Sequence, residues 1–141
     1  MKRIIVIIAA VIMAVSSAGE AQSPCLQFEP AVESIVGNLV RKTFPGPPNY
    51  ESIKEGDTPE TAWFVRLDDT LCMIGKPNDE LNSENINNIK FVQLVFLGNE
   101  YKTKKYLIGK KVKSTGTMFT AHTGHHHAKI LMKVHKLVEI K

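Results

Sequence analysis

Gly37 sits inside a run rich in Val, Ile, Leu and Thr from Val32 to Phe44, and Gly116 sits inside a second run, Lys111 to Ala121. A glycine weakens a strand, so its presence there marks a bulge, a sharp bend or a close backbone approach. Two long strands bent in this way constrain the fold more than any other feature. The remaining segments agree with them. Thr61 to Ile74 carries Trp63, Phe64, Val65 and Leu67 before Cys72. Ile89 to Leu97 is apolar on both alternating faces, with Phe91, Val95 and Leu97 on one and Val92, Leu94 and Phe96 on the other, which predicts a strand covered on both sides. In Lys129 to Ile140 the even positions Ile130, Met132, Val134, Val138 and Ile140 are apolar; Leu131, Lys136 and Leu137 break the alternation, predicting a twist or bulge. Glu100 to Ile108 predicts one or two helical turns stopped by Gly109. Five strands with one short helix between the third and fourth predict an all-β fold, a small five-stranded OB-like Greek-key barrel. A small β-sandwich is the competing architecture.

The chain has room for one such domain and little more. Its 141 residues, 43% hydrophobic and 23% charged, contain no repeat, heptad or low-complexity tract, which excludes coiled-coil, collagen-like and disordered classes. Two cysteines are too few for a disulfide-dense mini-fold or a four-cysteine zinc site. At the N-terminus, Lys2 and Arg3 precede an apolar run from Ile4 to Val15 and small residues from Ser16 to Ala21, the pattern of a secretory signal peptide. The run is shorter than the roughly 20 residues a membrane span needs. Cleavage is expected after Ala18 or Ala21, with Ala21 favoured for its longer polar stretch, giving a signal peptide over 1–21 and the barrel domain over 22–141. The expected location is periplasmic or secreted in a bacterium, and no integral membrane protein remains after cleavage.

Loss of residues 1–21 removes Lys2, Arg3 and Glu20, leaving 16 basic and 13 acidic residues and a net charge of +3. That is too weak to argue for nucleic acid, and the lysines from Lys102 to Lys113, interleaved with Tyr101 and Tyr106, read as a solvated face. Cys25 and Cys72 both follow the signal, in a compartment that permits a structural disulfide between them. Closing a loop of nearly fifty residues would stabilise the fold by about 4 kcal/mol on the loop-entropy argument.

Two loops carry the candidate functional residues. The first, Phe44 to Thr61, holds four of the seven prolines, which suit either a stiff arm presenting Tyr50 and Glu51 or a plain cover over one barrel end. The other notable loop, Gly75 to Asn88, is polar and asparagine-rich and reads as a mobile connection. The sharpest chemistry lies between the last two long strands, in His122-Thr123-Gly124-His125-His126-His127. In an extended segment His125 and His127 share a side, and a turn at Thr123-Gly124 would fold His122 back towards them. Three converging imidazoles would suit zinc or copper, with Glu51 as a possible fourth ligand. His126, on the other side, joins Tyr50 and Glu51 as a ligand contact. The same histidines equally suit strand-end hydrogen bonding or a pH-responsive surface.

No Gly-x-Ser-x-Gly, His-Glu-x-x-His, phosphate loop or dinucleotide fingerprint is present. Asp68, Asp69, Glu51, Glu55, Asp57 and Glu60 would support acid–base chemistry only if folded against the histidines. The stretches Cys25-Leu26-x-Phe28-Glu29-Pro30, Thr43 to Ser52 (with Pro-Gly-Pro-Pro-Asn-Tyr-Glu-Ser), Gly116-Thr117-Met118-Phe119 and His122 to His127 together resemble a family of bacterial secreted proteins, domain of unknown function 4431. The resemblance covers nearly all of the chain after the signal, except that Ala128 stands where a threonine or serine commonly follows the histidines. It implies a bacterial periplasmic or secreted domain and brings no catalytic residue with it. The expectation is therefore a monomeric, exported binding module, for an envelope or secreted protein in the manner of an inhibitor-like domain, or for a small ligand. A periplasmic metal-binding protein is the alternative, and a metal-dependent hydrolase comes third.

Overall fold

The computed structural model describes residues 25–141, and the signal peptide expected over 1–21 lies outside the described residues. Six strands follow one another: β1 (Leu26–Gln27), β2 (Val32–Pro45), β3 (Pro59–Ile74), β4 (Ile86–Val95), β5 (Lys111–Thr120) and β6 (Ile130–Glu139). The fold is all-β, as the alternation predicts. The helical run splits at Lys104 into α1 (Glu100–Thr103) and a 3-10 turn, Lys105–Leu107, with Gly109 at φ 84° beyond it. Among the described residues no helix is long and apolar enough to cross a membrane.

The strands make one mixed sheet. Strand β2 serves two neighbours, pairing antiparallel with β5 over Val32 to Asn38 and with β3 over Gly37 to Pro45. Strand β3 continues antiparallel to β4, β4 pairs parallel with β6, and β6 returns antiparallel to β5. Each long strand thus has two partners, and the pairings run in a circuit. Gly37 stands where β2 passes from one neighbour to the other. A Cβ there would lie 2.1 Å from the Arg66 carbonyl oxygen, and one at Gly116 would lie 2.0 Å from that of Lys133. Both glycines are therefore required by backbone approach, the role the sequence assigns them.

A sixth strand was not foreseen. Leu26–Gln27 lies parallel to Met73 and Ile74, beside a disulfide between Cys25 and Cys72 whose Cα atoms are 4.7 Å apart. The expected bridge thus ties the start of the described chain to the end of β3.

One face of the sheet supplies the core. Leu39, Val65, Val92 and Ile130 succeed one another across β2, β3, β4 and β6, and Trp63, Leu94, Met132 and Met118 form the next row across β3, β4, β6 and β5. All eight are buried. At one end Trp63, Phe96 and Tyr101 meet edge to face, and the Tyr101 hydroxyl donates to the Leu94 carbonyl, so α1 is anchored onto the core. Leu107 is buried beside it.

Strand β4 departs from expectation. It is covered mainly on the even face from Val92 onwards, while Phe91 is 46% and Leu97 84% exposed. The cause is an irregularity in the β3–β4 pairing: the register shifts between Arg66 and Leu71, opposite Phe91 and Ile89, so Ile89 points inwards before the shift and Val92 after it. The irregularity expected in β6 is present, since the register jumps from Lys136 opposite Thr115 to Val134 opposite Gly116. The asparagine-rich loop is not loose at both ends. Asn82 is buried, its side-chain oxygen accepts from the Thr120 backbone N–H, and Lys76 N–H donates to its carbonyl.

Candidate functional site

Residues 46–58 join β2 to β3, and Asp57 organises them. Its carboxylate accepts the backbone N–H groups of Asn49, Glu51 and Ser52 at 2.8–2.9 Å. Those bonds, the one from Ser52 foremost, hold the Asp57 carboxyl below the ordinary carboxylate range. Backbone bonds from Gly46 to Thr58 and from Thr58 to Pro47 close the base of the loop. A stiff arm results, and Tyr50 stands on it with φ 60°, a left-handed backbone that a bulky residue seldom adopts.

The histidine loop, residues 121–129, comes from β5 and β6 and lies over the outer face of the sheet. There Phe64, Gln93, Leu131 and Phe119 form a cross-strand row, all buried although none belongs to the main core. Gln93 is the fastener. Its side-chain N–H donates to the His125 carbonyl at 2.9 Å, and its oxygen accepts the His127 backbone N–H at 2.6 Å. His127 stacks on Phe44 with ring centroids 4.1 Å apart and planes 2° from parallel. His122 and His126 pack against Phe119.

The two loops meet at His125. Its Nδ1 lies 3.0 and 2.9 Å from the two oxygens of Glu60, and its Nε2 lies 3.3 Å from the Tyr50 hydroxyl. With Nδ1–H donated to the carboxylate, Nε2 is left to accept from the phenol. Gly124 makes the meeting possible, because a Cβ there would approach the Tyr50 ring to 2.9 Å. Glu60 also faces His127, whose Nε2 is 3.6 Å away, buried and without a hydrogen-bond partner. A carboxylate, an imidazole and a phenol in line can hold a proton in a defined place and orient a polar ligand at the Tyr50 end.

The structure divides the four histidines into two pairs. His125 and His127 share Glu60, whereas His122 rings edge to face with His126 at 4.7 Å. The convergence of His122 with His125 and His127 is not formed, and among the described residues no three His, Cys, Asp or Glu side chains are grouped to hold a metal ion. The reason is local hydrogen bonding: His126 Nδ1 accepts the backbone N–H groups of His122 and Thr123, so the turn closes on His126. Burial first, and then the neighbouring histidines, push the His126 imidazole below its ordinary value. The carboxylate that reaches the histidines is Glu60; Glu51 is exposed, with its backbone turned to Asp57. Sequence reasoning missed Gln93 and Phe44. One signal for Gln93 was visible, a single polar residue in the apolar run from Phe91 to Leu97.

Beside this ridge lies a groove of about 410 Å³ on the outer face of β2, β3 and β4. Phe44, Phe64 and Phe91 line it, with Lys42, Lys90 and Lys129 around them and His127 at its border. No curated protein and no solved structure matches the chain. Over a narrower span than the resemblance suggested, one that includes the histidine loop but not the proline-rich arm, residues 91–141 match the family model described as Domain of unknown function (DUF4431).

Proposed function

We propose that the chain is an exported binding module, an OB-like barrel in the bacterial envelope whose binding surface is the ridge where the proline-rich and histidine loops join. The circuit of strand pairings supports the barrel, and the Cys25–Cys72 bridge is consistent with export. The observation that carries the binding reading is the locked contact of Tyr50 with Gly124 and His125. A bulky residue in a left-handed conformation, held by Asp57 on one side and by His125 and Glu60 on the other, is strain retained at an exposed place. Such preorganisation lowers the entropy lost on binding. Tyr50 presents a flat amphipathic ring, and Glu51 and His126 supply further polar contacts from the two loops. The partner is an envelope or secreted protein that the module restrains.

A metal-binding role for His122, His125 and His127, with zinc or copper, has less support, because His122 turns to His126. A metal-dependent hydrolase inherits the same weakness. Photo-crosslinking in exporting cells tests the main reading. A benzophenone amino acid at Tyr50 is expected to give one discrete protein adduct, absent when the same probe replaces Tyr106. Equal adducts from both positions, or none at Tyr50, would refute the binding surface. One equivalent of zinc or copper, lost on combining His125→Ala with His127→Ala, would move the metal reading ahead.

A further inference from the structure

We infer that the groove beside the ridge takes an acidic peptide segment of the partner, one apolar side chain seated on the phenylalanines and carboxylates beside it on the lysines. This rests on the binding-module reading and names the chemistry the partner must bring. Three observations carry it. The floor is aromatic: Phe44, Phe64 and Phe91 lie together on the outer face, where a folded chain ordinarily places polar side chains. The rim is basic and unpaired: Lys42, Lys90 and Lys129 make no ion pair among the described residues, and no carboxylate lines the groove. Arg66, directly across from Phe91 on β3, adds a further positive charge on the same face. An apolar centre within a charged rim is the anatomy of a recognition site for one anchoring side chain.

Size and exposure favour a peptide over a nucleic acid. A single-stranded nucleic acid needs a track of open ring faces on which successive bases stack. Here only Phe91 is widely open, at 46%, whereas Phe64 is 5% exposed and the Phe44 ring is already stacked on His127. One open ring above a recess of about 410 Å³ suits one or two side chains. The side chains that line the groove stand on the outer face of β2, β3 and β4, so the segment lies across that face.

A random peptide library displayed on phage, selected against the full exported chain, tests the inference. Enriched peptides are expected to carry Asp or Glu on either side of one Leu, Phe or Trp. Their binding is expected to fall about tenfold or more when Lys90→Glu and Lys129→Glu are combined, or with Phe91→Ala, and to be unchanged by Val36→Ala on another part of the surface. These side chains are exposed, so the fold withstands the changes. Enrichment without an acidic bias, no enrichment, or indifference to charge reversal overturns the inference. Tighter binding of oligothymidine than of the acidic peptides overturns it in favour of nucleic acid. A Tyr50 adduct that survives a failed selection removes the groove and leaves the module; failure of both removes both.

Discussion

Gln93→Leu isolates the attachment of the histidine loop, because Gln93 is 6% exposed and touches that loop through its side-chain amide alone. Leucine nearly matches glutamine in volume and suits a row between Phe64 and Leu131. The loss is therefore confined to two hydrogen bonds, to the His125 carbonyl and from the His127 N–H. At about 1 kcal/mol net for each, the fold should lose about 2 kcal/mol. If the loop stayed shut with both groups dry, the loss would approach about 4 kcal/mol, so opening of the loop sets the smaller figure. In a chain of this size about 2 kcal/mol corresponds to a fall in thermal midpoint of about 8 °C.

Urea and thermal denaturation read the global effect, and hydrogen exchange at the His127 amide reads the local one. Protection at that amide should fall further than at Val92 or Leu94, which remain in the ladder. Gln93→Glu sharpens the test. Its carboxylate still accepts from His127 but sets an oxygen against the His125 carbonyl, so at neutral pH it should be worse than leucine. As the pH falls, the protonated acid regains a donor, and the deficit should shrink. A Gln93→Leu protein within about 0.5 kcal/mol of the parent, with His127 still protected, would refute the claim that Gln93 fastens the loop.

Replacing Cys25 and Cys72 together by alanine should cost about 4 kcal/mol through the regained freedom of the unfolded chain, seen as a thermal midpoint at least 10 °C lower; an unchanged midpoint would count against it. Asp57→Ala leaves three loop N–H groups without their acceptor, and limited proteolysis within residues 46–58 should accelerate while the core stays folded. Because burial depresses the His126 imidazole, the unfolded chain binds more protons between the folded value and about pH 6.5. That contribution is complete above about pH 6.5 and is lost as the pH falls through the folded value. Thermal midpoints measured from pH 7 to pH 5 should fall more steeply for the parent than for His126→Asn, which keeps an acceptor but does not titrate; identical slopes would remove the effect.

The inner half of the fold was legible because it is written in period two. The alternation in β2 and β5, and the glycines that interrupt it, answer to backbone approach within the sheet, a constraint that leaves a local mark. Phe91 and Leu97 misled because alternation shows which residues share a face, not whether anything covers that face. The shift between Ile89 and Phe91 depends on the register with Leu71 and Arg66 of β3, well outside any local window, and no local pattern carries it. The histidines were found for their chemistry, but their grouping was set by partners far along the chain. Glu60 and Gln93 each take a role from long-range contacts, and a sequence shows candidates for such contacts rather than the contacts.

The positions of strain join these observations. Among the described residues, two that are not glycine have left-handed backbone, Tyr50 and Asn88. Asparagine tolerates that conformation through its short polar side chain; tyrosine has no such relief. Tyr50 lies in the loop after β2 and Asn88 within β4, yet Asn88 lines the groove and Tyr50 braces the ridge that borders it. Asn88 stands just before the register shift beyond which Phe91 faces out, and Tyr50 contacts the histidine loop whose His127 stacks on Phe44. Core packing asks for neither. A sheet free to bury every apolar residue would keep Phe91 inside, and a loop serving only as a cover would place glycine at position 50. The two strained residues flank an aromatic recess ringed by lysines that make no ion pair among the described residues, and that is the feature a partner would meet.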